Sequence, residues 1–172
     1  MANTYSQLYV HFIFGVRGKR ALIPSAHKDE LHKYICGIIN NRKCHVYAIN
    51  SMPDHMHIVV SMKPDIAPST LMRDVKAISS KWINEKKWTP VEFRWQTGFA
   101  AISHAHSQLP QVIRYVENQE EHHRKKNWRE EYIEILEKFG ISYDPKYLFD
   151  RDDEQAAPDG TQNVAPLGVT YQ

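Results

Sequence analysis

Cysteine is scarce, with two residues in 172, and Cys36 and Cys44 have no spacing that a disulfide scaffold or a Cys-based zinc site would use. Both read as reduced, largely buried thiols. Glycine is also sparse, 7 residues, and none builds a Gly-rich phosphate loop. No apolar run approaches the ~20 residues needed to cross a bilayer. The N-terminus lacks the charged-then-apolar pattern of a signal peptide. A cytoplasmic protein with no membrane partner is the expectation, and no internal repeat divides it.

What remains is ordinary for one globular domain: 42% hydrophobic and 24% charged residues, enough to bury a core. The formal charge of +2 conceals an asymmetry. Five acidic residues and one basic residue lie from Asp150 onward, so 21 basic and 15 acidic residues precede it, together with all ten histidines. A modestly basic body, residues 1–149, is followed by an acidic tail, residues 150–172, whose composition reads as disordered. The surplus of six suits a polyanionic partner without requiring one.

The patterning predicts the order β-α-β-β-α-β. Residues 5–16 alternate, with Leu8, Val10, Phe12, Phe14 and Val16 on one face and Tyr9, His11 and Ile13 on the other. Leu31, Tyr34, Ile35, Ile38 and Ile39 make one stripe of a helix over 24–41. A strand over 44–51 leads through Met52, Pro53 and Asp54 into a third strand. Leu71, Val75, Ile78 and Trp82 mark a second helix, and a strand interrupted near Gly98 is expected between Phe93 and Ser103. This is the split βαβ, or ferredoxin-like, α+β arrangement with both helices on one side of the sheet. Two further helices are expected. One runs from a cap at Ser107 to about Lys126 with an apolar stripe of Leu109, Ile113 and Val116; the other runs from Trp128 to about Phe139 and is closed by Gly140.

The third strand carries the chemistry. Met56, Ile58, Val60 and Met62 form a core face, which places His55 and His57 side by side on the other face, close enough to share one divalent ion. Two ligands do not complete a site, and a histidine pair alone reads equally as hydrogen-bonded imidazoles on a solvated face. The helix over 107–126 offers cover, with Gln108, Gln111, Tyr115, Gln119 and His122 on a polar stripe at one-turn spacing. Suppose His55, His57 and the Gln119 carbonyl hold a cation. Tyr115 would then reach the same phosphodiester, and attack by a phenol would leave DNA joined to protein with its bond energy kept. Arg17, Lys19 and Arg20, in a basic loop, and Arg73 and Lys76, on the second helix, are candidate DNA-phosphate contacts or solvated side chains. His122 and His123 read as a charged helix end or as further ligands.

Together, Pro53-Asp54-His55-Met56-His57, Tyr115-Val116-Glu117-Asn118-Gln119 with the following Glu120-Glu121-His122-His123, and Trp95 to Phe99 resemble the small single-tyrosine transposases of the HUH class. These serve insertion sequences that move as single-stranded DNA, and the resemblance extends to relatives associated with repetitive extragenic palindromes. It covers roughly residues 5–149. It implies a ferredoxin-like or RRM-like core and Mg²⁺ or Mn²⁺ held by His55, His57 and Gln119. It further implies Tyr115 as the nucleophile that forms a 5′-phosphotyrosine beside a hairpin in single-stranded DNA. A homodimer, in many members with the tyrosine helix serving the partner subunit, is implied as well. The acidic tail is outside that pattern. Two other readings stand: a zinc hydrolase built on the histidine pair, and an RRM-like sheet that holds single strands without cutting.

Overall fold

Residues 3–150 are described by a computed structural model, so the acidic tail beyond Asp150 lies outside the described residues. Four strands form one antiparallel sheet: β1 (Tyr9–Gly15), β2 (His45–Met52), β3 (His55–Ser61) and β4 (Ala100–His104), in spatial order β2-β3-β1-β4. Helices α1 (Lys28–Asn41) and α2 (Pro68–Lys86) make the two crossovers, and the predicted β-α-β-β-α-β order holds. No helix among the described residues is long and apolar enough to cross a membrane.

One face of the sheet packs on α1 and α2. Phe12 and Phe14 from β1 and Met56, Ile58 and Val60 from β3 meet Leu31, Ile35, Leu71 and Val75 in the largest core cluster, each large side chain contributing about 1.5–3 kcal/mol on full burial. The inward stripe of α2 is Leu71, Met72, Val75, Ser79 and Ile83, rotated from the one predicted, and Ile78 faces solvent. A buried partner explains the rotation: the Trp95 indole donates to Ser79 Oγ at 2.9 Å. Trp95 bridges to Val16 ahead of β4, so the predicted interruption near Gly98 is present. Lys76 stabilises it by donating to the carbonyls of Gln96 (2.9 Å) and Thr97 (3.3 Å) and to that of Gly98. Burial lowers the Lys76 ammonium pKa to about 8.

The opposite face is covered by two helices rather than one. In α3 (Leu109–Glu117), Leu109, Val112 and Val116 pack on Tyr9, Ala48 and Val59. In α5 (Trp128–Lys138), Trp128, Tyr132, Ile135 and Leu136 pack on Ile13, Ala100 and Ile102. The single helix expected over 107–126 is interrupted at Asn118, after which the short α4 (Gln119–His123) begins. Asn50 of β2 supplies the physical reason. Its amide donates to the carbonyls of Val116 (2.9 Å) and Glu117 (3.2 Å), taking acceptors at the end of α3 that would otherwise be left unsatisfied. Ser107 does not cap α3; it lies within the one-turn 3₁₀ segment His106–Gln108 that leads into the helix. Gly140 closes α5 with φ +65°, as its position predicts.

Candidate active site

The turn at Pro53 and Asp54 joins β2 to β3, and strand alternation then aims His55 and His57 away from the α1/α2 core. Both imidazoles are fully buried, beneath α3 and α5. The ring of Trp128 stacks on that of His55 at 4.5 Å between centroids and 11° between planes. Gly15 lies opposite His55 in the β1–β3 register. A Cβ there would stand 3.0 Å from both Trp128 Cζ2 and Gln96 Oε1. Gly15→Ala is therefore expected to shift Trp128 off His55 and to destabilise the fold by about 1–3 kcal/mol, read as a lowered urea midpoint.

Each ring is oriented through its Nδ1. His55 Nδ1 lies 2.6 Å from Asp54 Oδ1, and His57 Nδ1 lies 2.9 Å from His11 Nε2. The Nε2 atoms of both point inward and find no hydrogen-bond partner among the described residues. They face the Glu131 carboxylate of α5 at 3.6 Å from His55 and 3.2 Å from His57. Burial lowers His57 to about 4 against the opposing pull of Glu131, so the ring is neutral and able to offer a lone pair.

Tyr115, in the last turn of α3, donates its hydroxyl to Glu131 Oε1, and its ring lies 5.8 Å from that of His57. Burial, followed by the charge of Glu131, pushes the phenol above its ordinary value. Burial alone would raise the Glu131 carboxyl. The groups crowding it, His123 first, then His57 and Tyr115, overcome that and hold it far below the usual carboxylate range. Gln119 is fully buried. Its amide donates to the Tyr115 carbonyl (3.1 Å) and its Oε1 meets His123 Nε2 at 3.0 Å. His123 Nε2 also pairs with Glu131 Oε2. Beside this cluster a cavity of about 600 Å³ opens, lined by His11, His104, Tyr115 and Glu131, with Lys125, Lys126 and Lys138 also on its wall.

The structure thus brings His55, His57 and Tyr115 together, with Gln119 one contact away through His123. The loop carrying Arg17, Lys19 and Arg20 runs beside the Pro53–Asp54 turn, tied by the Val16 amide to the Asp54 carbonyl at 2.8 Å. Arg17 pairs with Asp150 at 3.7 Å. Arg73 and Lys76 stand on α2, across the sheet from Tyr115. The first pairs with Asp74, and the second donates to backbone carbonyls. Sequence reasoning missed Glu131 and His11. One signal was available: Glu131 lies three residues after Trp128 and four before Ile135, so it occupies the apolar stripe of its helix, where a carboxylate requires a reason.

A family model described as "Transposase IS200 like" matches residues 4–119. Among solved structures, a protein assigned as a transposase from Deinococcus radiodurans R1 is similar, with TM-score 0.54 and 17% identity over 69% of this chain and 95% of that one. A REP-associated tyrosine transposase bound to a REP hairpin is similar with TM-score 0.55 and 17% identity, over 72% of this chain and 73% of that one. At this identity the two establish a shared fold. No curated protein matches the chain.

Proposed function

The chain belongs to the IS200-like transposase family, and from that premise we propose that it cleaves and rejoins single-stranded DNA beside hairpins, with Tyr115 as nucleophile and a divalent metal at His55 and His57. The observation that carries this reading is the convergence of the Tyr115 hydroxyl and the His57 imidazole on one carboxylate. A nucleophile and a cation-binding group within reach of one phosphodiester are what such a reaction requires. The hairpin held by the REP-associated relative supports the choice of substrate.

The inward Nε2 atoms of His55 and His57, buried and without a hydrogen-bond partner, fit a metal, and Gln119 remains the third ligand that the resemblance implies. A bound Mg²⁺ or Mn²⁺ would polarise a phosphodiester oxygen and offset the charge that builds as phosphorus is attacked. The remaining work belongs to the chain. The Tyr115 oxygen forms a bond to phosphorus and the bond from phosphorus to the 3′ oxygen breaks. A 5′-phosphotyrosine and a 3′-hydroxyl result, the latter taking its proton from solvent. The phenolic proton, hydrogen-bonded to Glu131 at rest, passes to solvent as the new bond forms. With the phenol held protonated, Tyr115 is quiescent until charge is drawn away from Glu131.

Incubating the protein with a labelled, hairpin-bearing single strand and Mn²⁺ is expected to give a covalent adduct that survives denaturing electrophoresis and disappears with EDTA. Free cleaved product without an adduct would favour a hydrolase, and retention without cleavage a binding protein. The homodimer belongs to the proposal too, and a monomeric mass by light scattering would remove it. Within one chain the Tyr115 hydroxyl meets the carboxylate beside His57, which supports a site assembled without exchange of tyrosine helices.

A further inference from the structure

A third imidazole, that of His123, turns its Nε2 to the same carboxylate as His55 and His57. His123 Nδ1 lies 3.0 Å from the Lys126 carbonyl. A carbonyl only accepts, so this nitrogen carries a hydrogen, and Nε2 is the atom turned inward, where it donates to Gln119 Oε1 and Glu131 Oε2 and would release its proton on binding a cation. Asp54 imposes the same orientation on His55 from its Nδ1, and His11 stands in that place for His57. Outer partners that fix the far nitrogen of a ring are the usual accompaniment of metal-binding histidines.

The three Nε2 atoms surround one carboxylate. Glu131 Oε1 faces His57, and Oε2 faces His55 and His123. One donor atom from each of His55, His57, His123 and Glu131 lies within 4.8 Å of all the others. The carboxylate is nearly as buried as the rings, at 5% exposure, and enters from the first turns of α5, where the helix dipole favours negative charge. An Asn127–Glu130 capping box fixes that helix start, with the Glu130 amide donating to Asn127 Oδ1 at 3.0 Å. Gln119, by contrast, turns its carbonyl to His123 and its amide to the backbone.

We infer that His123 and Glu131 complete the cation site begun by His55 and His57, making a three-imidazole, one-carboxylate centre that selects a first-row transition ion over Mg²⁺, with Glu131 linking that ion to the Tyr115 hydroxyl. Imidazole nitrogen suits the later first-row ions, Zn²⁺ among them, whereas Mg²⁺ prefers oxygen ligands and keeps its waters. The inference rests on the proposed function only for the presence of a cation at His55 and His57.

The test is metal binding by the full chain, measured by calorimetry and by the visible spectrum of Co²⁺. One Co²⁺ per chain is expected, bound at least about 10-fold more tightly than Mg²⁺. His123→Ala and Glu131→Gln should each weaken it by about 10- to 100-fold and alter the spectrum, while the metal-free melting curve reports folding. If either variant does not fold, ring-nitrogen NMR of the wild-type chain with Zn²⁺ decides: three shifted Nε2 resonances are expected, and two would overturn the inference. Unchanged affinity and spectrum in both folded variants would also overturn it and leave the transposase reading standing, as would equal affinity for Mg²⁺. A wild-type chain that binds no divalent ion would remove this inference together with the metal in the proposed function.

Discussion

Tyr115→Phe is expected to abolish the covalent protein–DNA adduct, a loss of at least about 10³-fold, while leaving the fold and hairpin binding in place. The change removes one oxygen. The remaining ring still packs against His57, His11 and His122. Glu131 loses one donor but keeps its pairing with His123 and the nearby His57 imidazole, so the cost to stability is about 1–2 kcal/mol. Denaturing electrophoresis of the reaction with labelled hairpin DNA measures the first effect, and a gel-shift with the same DNA measures the second. An adduct formed by the variant would mean that another side chain attacks, and the assignment of Tyr115 would fall.

His57→Ala is expected to remove cleavage and adduct alike, again by at least about 10²-fold, and here stability falls as well. His57 is fully buried, hydrogen-bonded to His11 through Nδ1 and facing the Glu131 carboxylate with Nε2. Its loss leaves a cavity, an unpartnered His11 nitrogen and a buried carboxylate with one neighbour fewer, together about 2–4 kcal/mol. A urea melt measures that cost, and the cleavage assay is run below the midpoint. Full cleavage by the folded variant would exclude a cation at this position.

The sheet was legible because its signals are local. Alternation along Tyr9–Gly15 and His55–Ser61 assigns every side chain to a face, and the structure keeps those faces. Helix interruptions are another matter. Nothing near Asn118 announces a break, because the group that causes it, the Asn50 amide, lies 68 residues away and meets α3 only in the folded chain. The stripe of α2 was misread for a related reason. Ser79 turns inward to accept from Trp95, a pairing no hydrophobic periodicity encodes.

Half of the site was legible in the same sense. His55 and His57 are two residues apart on one strand, and Tyr115 and Gln119 one turn apart, so spacing places each pair. His11, His123 and Glu131 come from β1, α4 and α5, and their meeting is tertiary. The basic residues divide for a similar reason. A charge at helical spacing does not reveal that Lys76 will turn to three carbonyls of its own backbone.

The family match ends at residue 119, yet α5 begins at Trp128. Ile13, Ala100 and Ile102 would meet water in a fragment cut at the end of that match, and His55 would lose the indole stacked upon it. Such a fragment would retain every hallmark residue and still be a sticky, half-built protein. The apolar cover of this face of the sheet therefore extends at least to Leu136, and natural variation in α5 would reshape the wall of the cavity beside Tyr115 while the His-Met-His and tyrosine signatures stayed untouched.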